Sequence, residues 1–204
     1  MSDDPHTIRW NERYASEDYV FGKEPNDFLN AEAHRLKVNS NVLCLADGEG
    51  RNGVFLAAHG HRVTSIDQSA VGLEKANKLA KERSVRLKTI QADLAQHDLG
   101  EEAWDAVVSI FFHLPPAPRQ MIYPRIIQAL KPGGLLILES YTPRQLEFKT
   151  GGPPVAENML TTEIVNAELG ELEFLHLEEL EREVIEGHGH TGHAAVLQLI
   201  GRKN

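Results

Sequence analysis

The sequence predicts an α/β protein: a doubly wound, seven-stranded sheet ending in an antiparallel hairpin. Three observations carry this. Apolar, strand-like runs alternate with helical patterns from residue 40 to about 140, as a parallel sheet with right-handed crossovers requires. A glycine-spaced turn lies inside "VLCLADGEGRNGVFLA" (42–57), where the first strand gives way to the first helix of that alternation. Two closing runs flank the glycine-rich "HGHTGH" (188–193) and read as a strand pair.

Each element has its own signal. "NVLCLA" (41–46) reads as a buried strand and "RNGVFLAAHG" (51–60) as the helix after it, closed by Gly60. "HRVTSID" (61–67) is the second strand. "SAVGLEKANKLAKER" (69–83) starts at an N-cap serine and sets Leu73, Ala76 and Ala80 on one stripe. "RLKTIQ" (86–91), "AWDAVVSIFF" (103–112) and "GLLILES" (134–140) are three further strands. The helix "PRQMIYPRIIQALK" (118–131) precedes the last of these, and Pro124 is expected to restart it. "YTPRQLEFKTGGPP" (141–154) reads as a loop and "TTEIVNAEL" (161–169) as a short helix. "LEELEREVIEG" and "HAAVLQLIGRK" form the hairpin. Before all of this stand 36 aromatic-rich residues, with a helix expected near Pro25.

The totals bound the function. A chain of 204 residues with 41% hydrophobic content fits one α/β domain with a full core. Within it, 1–36 reads as a lid and helix, 40–140 as the ligand-binding core, and 141–204 as the substrate-side loop, helix and hairpin. A net charge of −9 without a Lys/Arg cluster argues against a nucleic-acid partner. The longest apolar run, Ala106 to Phe112, is too short to span a bilayer. "MSDDPH" is too acidic and polar for a secretory signal. Cys44 is the sole cysteine, which excludes an internal disulfide and a multi-cysteine zinc site. The expectation is a cytoplasmic protein acting on a small molecule, with no nucleic-acid or membrane partner. Its oligomeric state is not legible.

The glycine turn spells G-x-G-x-x-G at Gly48, Gly50 and Gly53. Such a turn brings bare backbone N–H groups close to a ligand. Asp67, at the end of the next strand, is placed to accept hydrogen bonds from ribose hydroxyls, and this suits NAD or any adenosine ligand equally. Asp93 follows "TIQ" just past the third strand, where a carboxylate accepts from an adenine amino group.

With Asp93, the strand "EAWDAVVSIFFHLP" and the Pro-Gly-Gly turn of "QALKPGGLLILES", the series resembles the class I S-adenosylmethionine-dependent methyltransferases over roughly residues 40–202. "WNERYASEDYVFGKEPNDFL", "GEGRN" and "LIGRK" resemble more narrowly the small bacterial tellurite-resistance and thiopurine-type group. The resemblance implies a Rossmann-like methyltransferase fold and S-adenosylmethionine as cofactor. It implies a cofactor shell of Tyr14, Ala46, Asp47, Gly48, Gly50, Asn52, Asp67, Gln68, Asp93, Leu94 and Ser109, and a lid built on Trp10, Tyr14, Tyr19 and Phe21, from which Tyr14 and Arg13 would contact the cofactor's methionine carboxylate. The family pattern D/E-x-G-x-G-x-G falls on 44–50, where this chain has Cys44 for the acid and Ala46 for the first glycine. Asp47, and after it Glu49, are the substitutes for that acid.

Methyl transfer from a sulfonium is an in-line displacement in which alignment and exclusion of water dominate. A soft acceptor such as a thiol or a tellurium or selenium oxyanion needs little base catalysis, whereas oxygen and amine acceptors generally lose a proton. His113 stands at the carboxyl end of the fourth strand, where ligands of open sheets gather, as a base or as a structural histidine. His188, His190 and His193 border the substrate mouth, and His190 is the second candidate for catalysis. H-x-H-x-x-H has no carboxylate clearly placed beside it, so no metal is expected. Arg144 and Lys149 would add a positive rim, and the acidic run from Glu171 to Glu186 reads as a solvated face. The alternatives are a non-catalytic S-adenosylmethionine-binding module and an NAD-dependent oxidoreductase.

Overall fold

The protein is described by a computed structural model covering residues 4–204; the first three residues of the expected lid lie outside it. Seven strands form one sheet: β1 (Asn41–Leu45), β2 (Arg62–Asp67), β3 (Leu87–Gln91), β4 (Trp104–Ile110), β5 (Leu130–Tyr141), β6 (Glu173–Glu186) and β7 (His190–Arg202). Their order is β3-β2-β1-β4-β5-β7-β6. The first five pair in parallel, while β7 runs antiparallel to both β5 and β6. The end of β6 therefore points to the same edge as the ends of β1, β2 and β4. The order reverses between β1 and β4, and ligands of open α/β sheets bind at that switch point.

The period-two alternation of the central strands feeds two cores. Leu43, Leu45, Val107, Leu136 and Leu138 face one side, with Ile122, Tyr123 and Ile126 of α5 (Pro116–Ala129) and Val165 and Leu169 of α7 (Thr162–Leu169). Val42, Cys44, Ala106, Val108 and Ile137 face the other, with Phe28 and Leu29 of α2 (Asp27–Glu32) and Leu56 of α3 (Arg51–Ala58). Both faces are apolar because helices cover both. Cys44 is buried and its thiol pKa is pushed well up by burial, so it packs as a small apolar side chain.

Four expectations are corrected. First, the N-terminal segment is not only a lid before a helix near Pro25: α1 spans Pro5–Tyr14, capped by Asp4, whose side chain accepts from Thr7 N at 3.0 Å. Second, Pro124 does not restart α5, which runs unbroken from Pro116 to Ala129. Pro124 and Gln120 face solvent, so water can satisfy the carbonyl that proline leaves unpaired, while the buried Ile122, Tyr123, Ile126 and Ile127 hold both halves on the sheet. Third, β5 begins at Leu130, before the Pro-Gly-Gly turn. Gly133 (φ +76°) absorbs the kink, and its N–H donates to Lys203 O at 2.8 Å. Fourth, the hairpin loop is only 187–189, since Glu186 pairs with His190. His190 and His193 therefore belong to β7 and, three residues apart, point to opposite faces. α4 (Ala70–Glu82) starts at Ser69 as expected, and within the 141–154 loop lies one short turn of helix, α6 (Gln145–Phe148).

Among the described residues, no helix is long and apolar enough to cross a membrane.

Candidate active site

The turn after β1 carries three left-handed residues: Ala46 (φ +48°), Gly48 (φ +53°) and Gly50 (φ +83°). Asp67, buried at the end of β2, ties the turn to the next helix. Its Oδ2 accepts from Gly48 N and its Oδ1 from Ser69 N, both at 2.8 Å. Burial raises the Asp67 pKa, and these backbone bonds oppose the rise. A Cβ on Gly50 would lie 2.5 Å from Ala76 Cβ, so this glycine lets α3 approach α4 closely. A Cβ on Gly48 would lie 2.5 Å from the Tyr14 hydroxyl. The turn thus presents bare backbone towards α1.

Asp47, expected to substitute for the acid missing at Cys44, is turned inward. Its Oδ2 accepts from Ser65 Oγ at 2.5 Å and from Gly53 N at 3.2 Å, closing the first turn of α3 from inside. Burial pushes its pKa up to about 7. Glu49 is turned away as well. Its Oε2 accepts from Val20 N at 2.8 Å, and its Oε1 pairs with Lys75 Nζ at 2.5 Å. Lys75 also donates to Ser16 O and Asp18 O. Glu49 and Lys75 therefore fasten the N-terminal segment to the core.

Other expected residues are placed as follows. Asn52 Oδ1 accepts from Asn26 N at 2.9 Å, and Gln68 Oε1 accepts from Thr7 Oγ1 at 3.4 Å; both join the N-terminal segment to the turn region. Asp93 is exposed, accepting from Ala95 N and Gln96 Nε2. Leu94 is buried in the core, and Ser109 is buried in β4 opposite Leu45.

His113 and His190 meet in one aromatic cluster. His113 stacks on Tyr141 (5.5 Å between centroids, 10° between planes), and its Nε2 accepts from Tyr141 N at 3.2 Å. Burial lowers its pKa to about 4. A histidine so held serves the backbone. His190 lies 4.5 Å from Phe21, 5.0 Å from Phe111 and 5.4 Å from Tyr141. Burial, then the charge of Arg51, lowers its pKa to about 3. Its Nδ1 is buried without a hydrogen-bond partner among the described residues. His188 is exposed in the loop.

Part of the expected positive rim is neutralised, while Lys149 is exposed. Arg144 pairs with Glu181 at 2.8 Å, and His193 stands between Glu181 and Glu183 at 2.9 and 3.1 Å. Among the described residues no cluster is arranged to hold a metal ion. Nor is the acidic run wholly solvated. Glu186 is buried against Arg51, and Arg182 bonds Glu139 through Nη2 at 2.6 Å and Nε at 3.0 Å. Asn26 Nδ2 donates to both carboxylates, at 2.5 Å to Glu139 and 2.8 Å to Glu186. Sequence reasoning missed this network. Its signals were a glutamate inside the apolar "LLILES", and the arginine that opens the helix after the glycine turn.

A family model described as a methyltransferase domain matches residues 42–134. An uncharacterised methyltransferase of Synechocystis is 30% identical over 162 residues, covering 75% of this chain and 73% of that protein. The chain belongs to the S-adenosylmethionine-dependent methyltransferases. Solved structures share the fold. The N-methyltransferase NodS of Bradyrhizobium japonicum, in complex with S-adenosylhomocysteine, superposes with a TM-score of 0.71 at 17% identity, over 98% of this chain and 99% of NodS. TehB of Haemophilus influenzae gives 0.68 at 18% identity, over 97% and 67%. A structure concerned with converting a disulfide bond into a thioacetal group in echinomycin biosynthesis gives 0.77 at 18% identity, over 97% and 91%.

The cofactor of this methyltransferase is S-adenosylmethionine, which replaces the nicotinamide alternative. The turn fits it in one physical respect. Gly48 leaves the backbone bare at the switch point, beside a buried acid whose two oxygens are already held in place by backbone N–H groups.

Proposed function

We propose that this methyltransferase acts on a small molecule with a soft nucleophile, a thiol or a comparable selenium or tellurium centre. When bound, the cofactor supplies an electrophilic methyl on a sulfonium, and the acceptor's lone pair displaces S-adenosylhomocysteine. Asp67 would hold the ribose, Asp93 the adenine edge and Tyr14 the lid side of the cofactor, while Phe21, Phe111 and Tyr141 would exclude water from the acceptor.

The supporting observation is the protonation chemistry on the acceptor side. His113 and His190 are both held neutral with pKa values of about 4 and 3, too low to draw a proton from an alcohol or an ammonium. The nearby carboxylates Glu139 and Glu186 are spent on Arg182, Arg51 and Asn26. A nucleophile that arrives already deprotonated suits this site. Structural neighbours that bear on nitrogen and sulfur chemistry show that the fold alone does not choose.

The test compares 3-mercaptopropionate, 3-hydroxypropionate and β-alanine as acceptors by release of S-adenosylhomocysteine. Turnover of the thiol alone, rising with pH as the thiol ionises, is expected. Turnover of the amine or alcohol in preference to the thiol overturns the reading.

A further inference from the structure

Two buried polar atoms on the acceptor side have no hydrogen-bond partner among the described residues: Arg51 Nη1 and His190 Nδ1. The Arg51 side chain is 8% exposed and His190 is 9% exposed. A guanidinium N–H removed from water and left unpaired is costly, and Arg51 has only donors to offer. Its other nitrogen, Nη2, is committed to Glu186. The group that satisfies Nη1 must therefore be an acceptor. His190 is the cross-strand partner of Glu186, the residue that Arg51 binds, so the two unpaired side chains meet at one corner of the hairpin, where a neutral histidine protonated on Nδ1 can present a second donor.

The electrostatics of the chamber run the same way. Phe21 stands between Tyr14 (6.3 Å) and His190 (4.5 Å), dividing the site into two ends. At the Tyr14 end three carboxylates, Asp67, Glu49 and Asp47, act against the single cation Arg13. At the His190 end the charges acting on His190 are Arg51 and Arg13, while the carboxylates Glu186 and Glu139 are each paired with an arginine, Arg51 and Arg182. A cationic cofactor belongs at the first end and an anionic acceptor at the second.

We infer that Arg51 Nη1 and His190 Nδ1 form an oxyanion-binding point that holds a carboxylate or equivalent oxyanion on the methyl acceptor. Arg51, opening α3 directly after the glycine turn, thereby links cofactor and acceptor. Glu186 and Asn26 position it: Glu186 takes one edge of the guanidinium, and Asn26 Nδ2 holds the other oxygen of Glu186 at 2.8 Å. The inference rests on the soft-acceptor reading only for the identity of the reacting atom, not for the handle.

The experiment titrates 3-(methylthio)propionate and its methyl ester into the protein saturated with S-adenosylhomocysteine. In parallel, kcat/KM is measured for 3-mercaptopropionate against 3-mercapto-1-propanol. The acid is expected to bind at least tenfold more tightly than the ester. That ratio is expected to collapse towards one in the paired variant Arg51→Met/Glu186→Gln, which removes both charges and leaves neither buried alone. A purely structural lesion would weaken acid and ester together and leave the ratio in place. His190→Phe keeps an aromatic ring in the cluster and is expected to cut the ratio about threefold, so the inference stays testable if the paired variant does not fold. Equal binding of acid and ester, no binding of the acid, or an acid preference that survives both variants overturns the oxyanion point. If neither thiol is methylated while the Arg51-dependent acid preference persists, the soft-acceptor reading falls and the oxyanion point stands. If both thiols are methylated equally, the reverse holds.

Discussion

Arg51 Nη2 donates to Glu186 Oε2 across 135 residues of sequence, joining the first turn of α3 to the last residue of β6 with both side chains buried. The pair fixes the terminal hairpin to the glycine turn. Removing Glu186 strands Arg51 out of water, at a cost of about 3–5 kcal/mol, whereas removing Arg51 leaves Glu186 with Arg182 Nη2 at 3.4 Å and Asn26 Nδ2 at 2.8 Å and costs less. Arg51→Met and Glu186→Gln are each expected to lower the urea midpoint accordingly. The double variant should lose much less than their sum, because it leaves no unpaired charge. Additive losses would show that the two do not interact.

The histidines give the fold a pH dependence whose sign follows from their direction. Both pKa values lie below the unfolded value near 6.5: His113 at about 4 and His190 at about 3. As pH falls through 6.5 the unfolded chain takes up protons that the folded chain refuses, so stability declines towards pH 4. His190 alone contributes up to about 2 kcal/mol of this loss at pH 5. Asp47 acts in the opposite sense. Its folded value, about 7, lies above its unfolded one, so the folded chain binds the extra proton between pH 4 and 7. Thermal midpoints measured from pH 7.5 to 4.5 should fall less steeply in His190→Phe and more steeply in Asp47→Asn than in the parent.

These two groups also mark where sequence reading succeeds and where it stops. The strands and the glycine turn were legible because alternation and glycine spacing act locally. Asp47 looked like the substitute for a missing acid because it neighbours the right position. Its direction depends on Ser65, a residue of the adjacent strand that no local pattern pairs with it. The histidines at 190 and 193 both bordered the expected substrate mouth in "HGHTGH", with His190 the one expected to take part in catalysis. Register separates them, burying His190 against Phe21 and leaving His193 outside between two glutamates. The α1 helix was overlooked although Asp4-Pro5 is a helix-start signal, because its inward stripe of Thr7, Trp10 and Tyr14 is mostly not aliphatic.

Two glycines with nearly equal φ make a controlled pair. Gly60 (φ +85°) has no atom within 4 Å of an added Cβ, whereas at Gly50 (φ +83°) that Cβ would lie 2.5 Å from Ala76 Cβ and 2.8 Å from its Cα. Gly60→Ala should cost only the left-handed penalty, about 1–2 kcal/mol. Gly50→Ala adds overpacking of about 1–3 kcal/mol and is expected to weaken binding of S-adenosylhomocysteine as the turn shifts. Equal losses at the two sites would mean that α4 yields freely.

Ala46 holds a left-handed φ of +48° where the family pattern has glycine. Ala46→Gly relieves that strain but loses a methyl packed against the core and gains unfolded-state entropy, so its stability should stay within about 1 kcal/mol of the parent. Ala46→Val puts a β-branched side chain where such residues are outliers and should destabilise by more than about 2 kcal/mol. Chemical denaturation of both variants, with S-adenosylhomocysteine titration of the folded ones, checks this.

Glu49 is the fastening of the N-terminal segment. Its Oε2 accepts from Val20 N at 2.8 Å and its Oε1 pairs with Lys75, while Gly189 N donates to Val20 O at 2.9 Å, so Val20 is held from the turn on one side and from the hairpin on the other. Glu49→Met deletes the first hold and keeps the side chain's length. Lys75 retains its carbonyl partners Ser16 and Asp18, so it is not stranded. The Val20 amide should then exchange with solvent at least tenfold faster, and exchange across 15–24 should rise with it, while the amides of β1 and β4 keep their protection. Unchanged exchange at Val20 would transfer the fastening to the aromatic contacts, where Phe21 packs on Gly189 and Tyr14 on Gly48. In that case Phe21→Ala, not Glu49→Met, would free the segment.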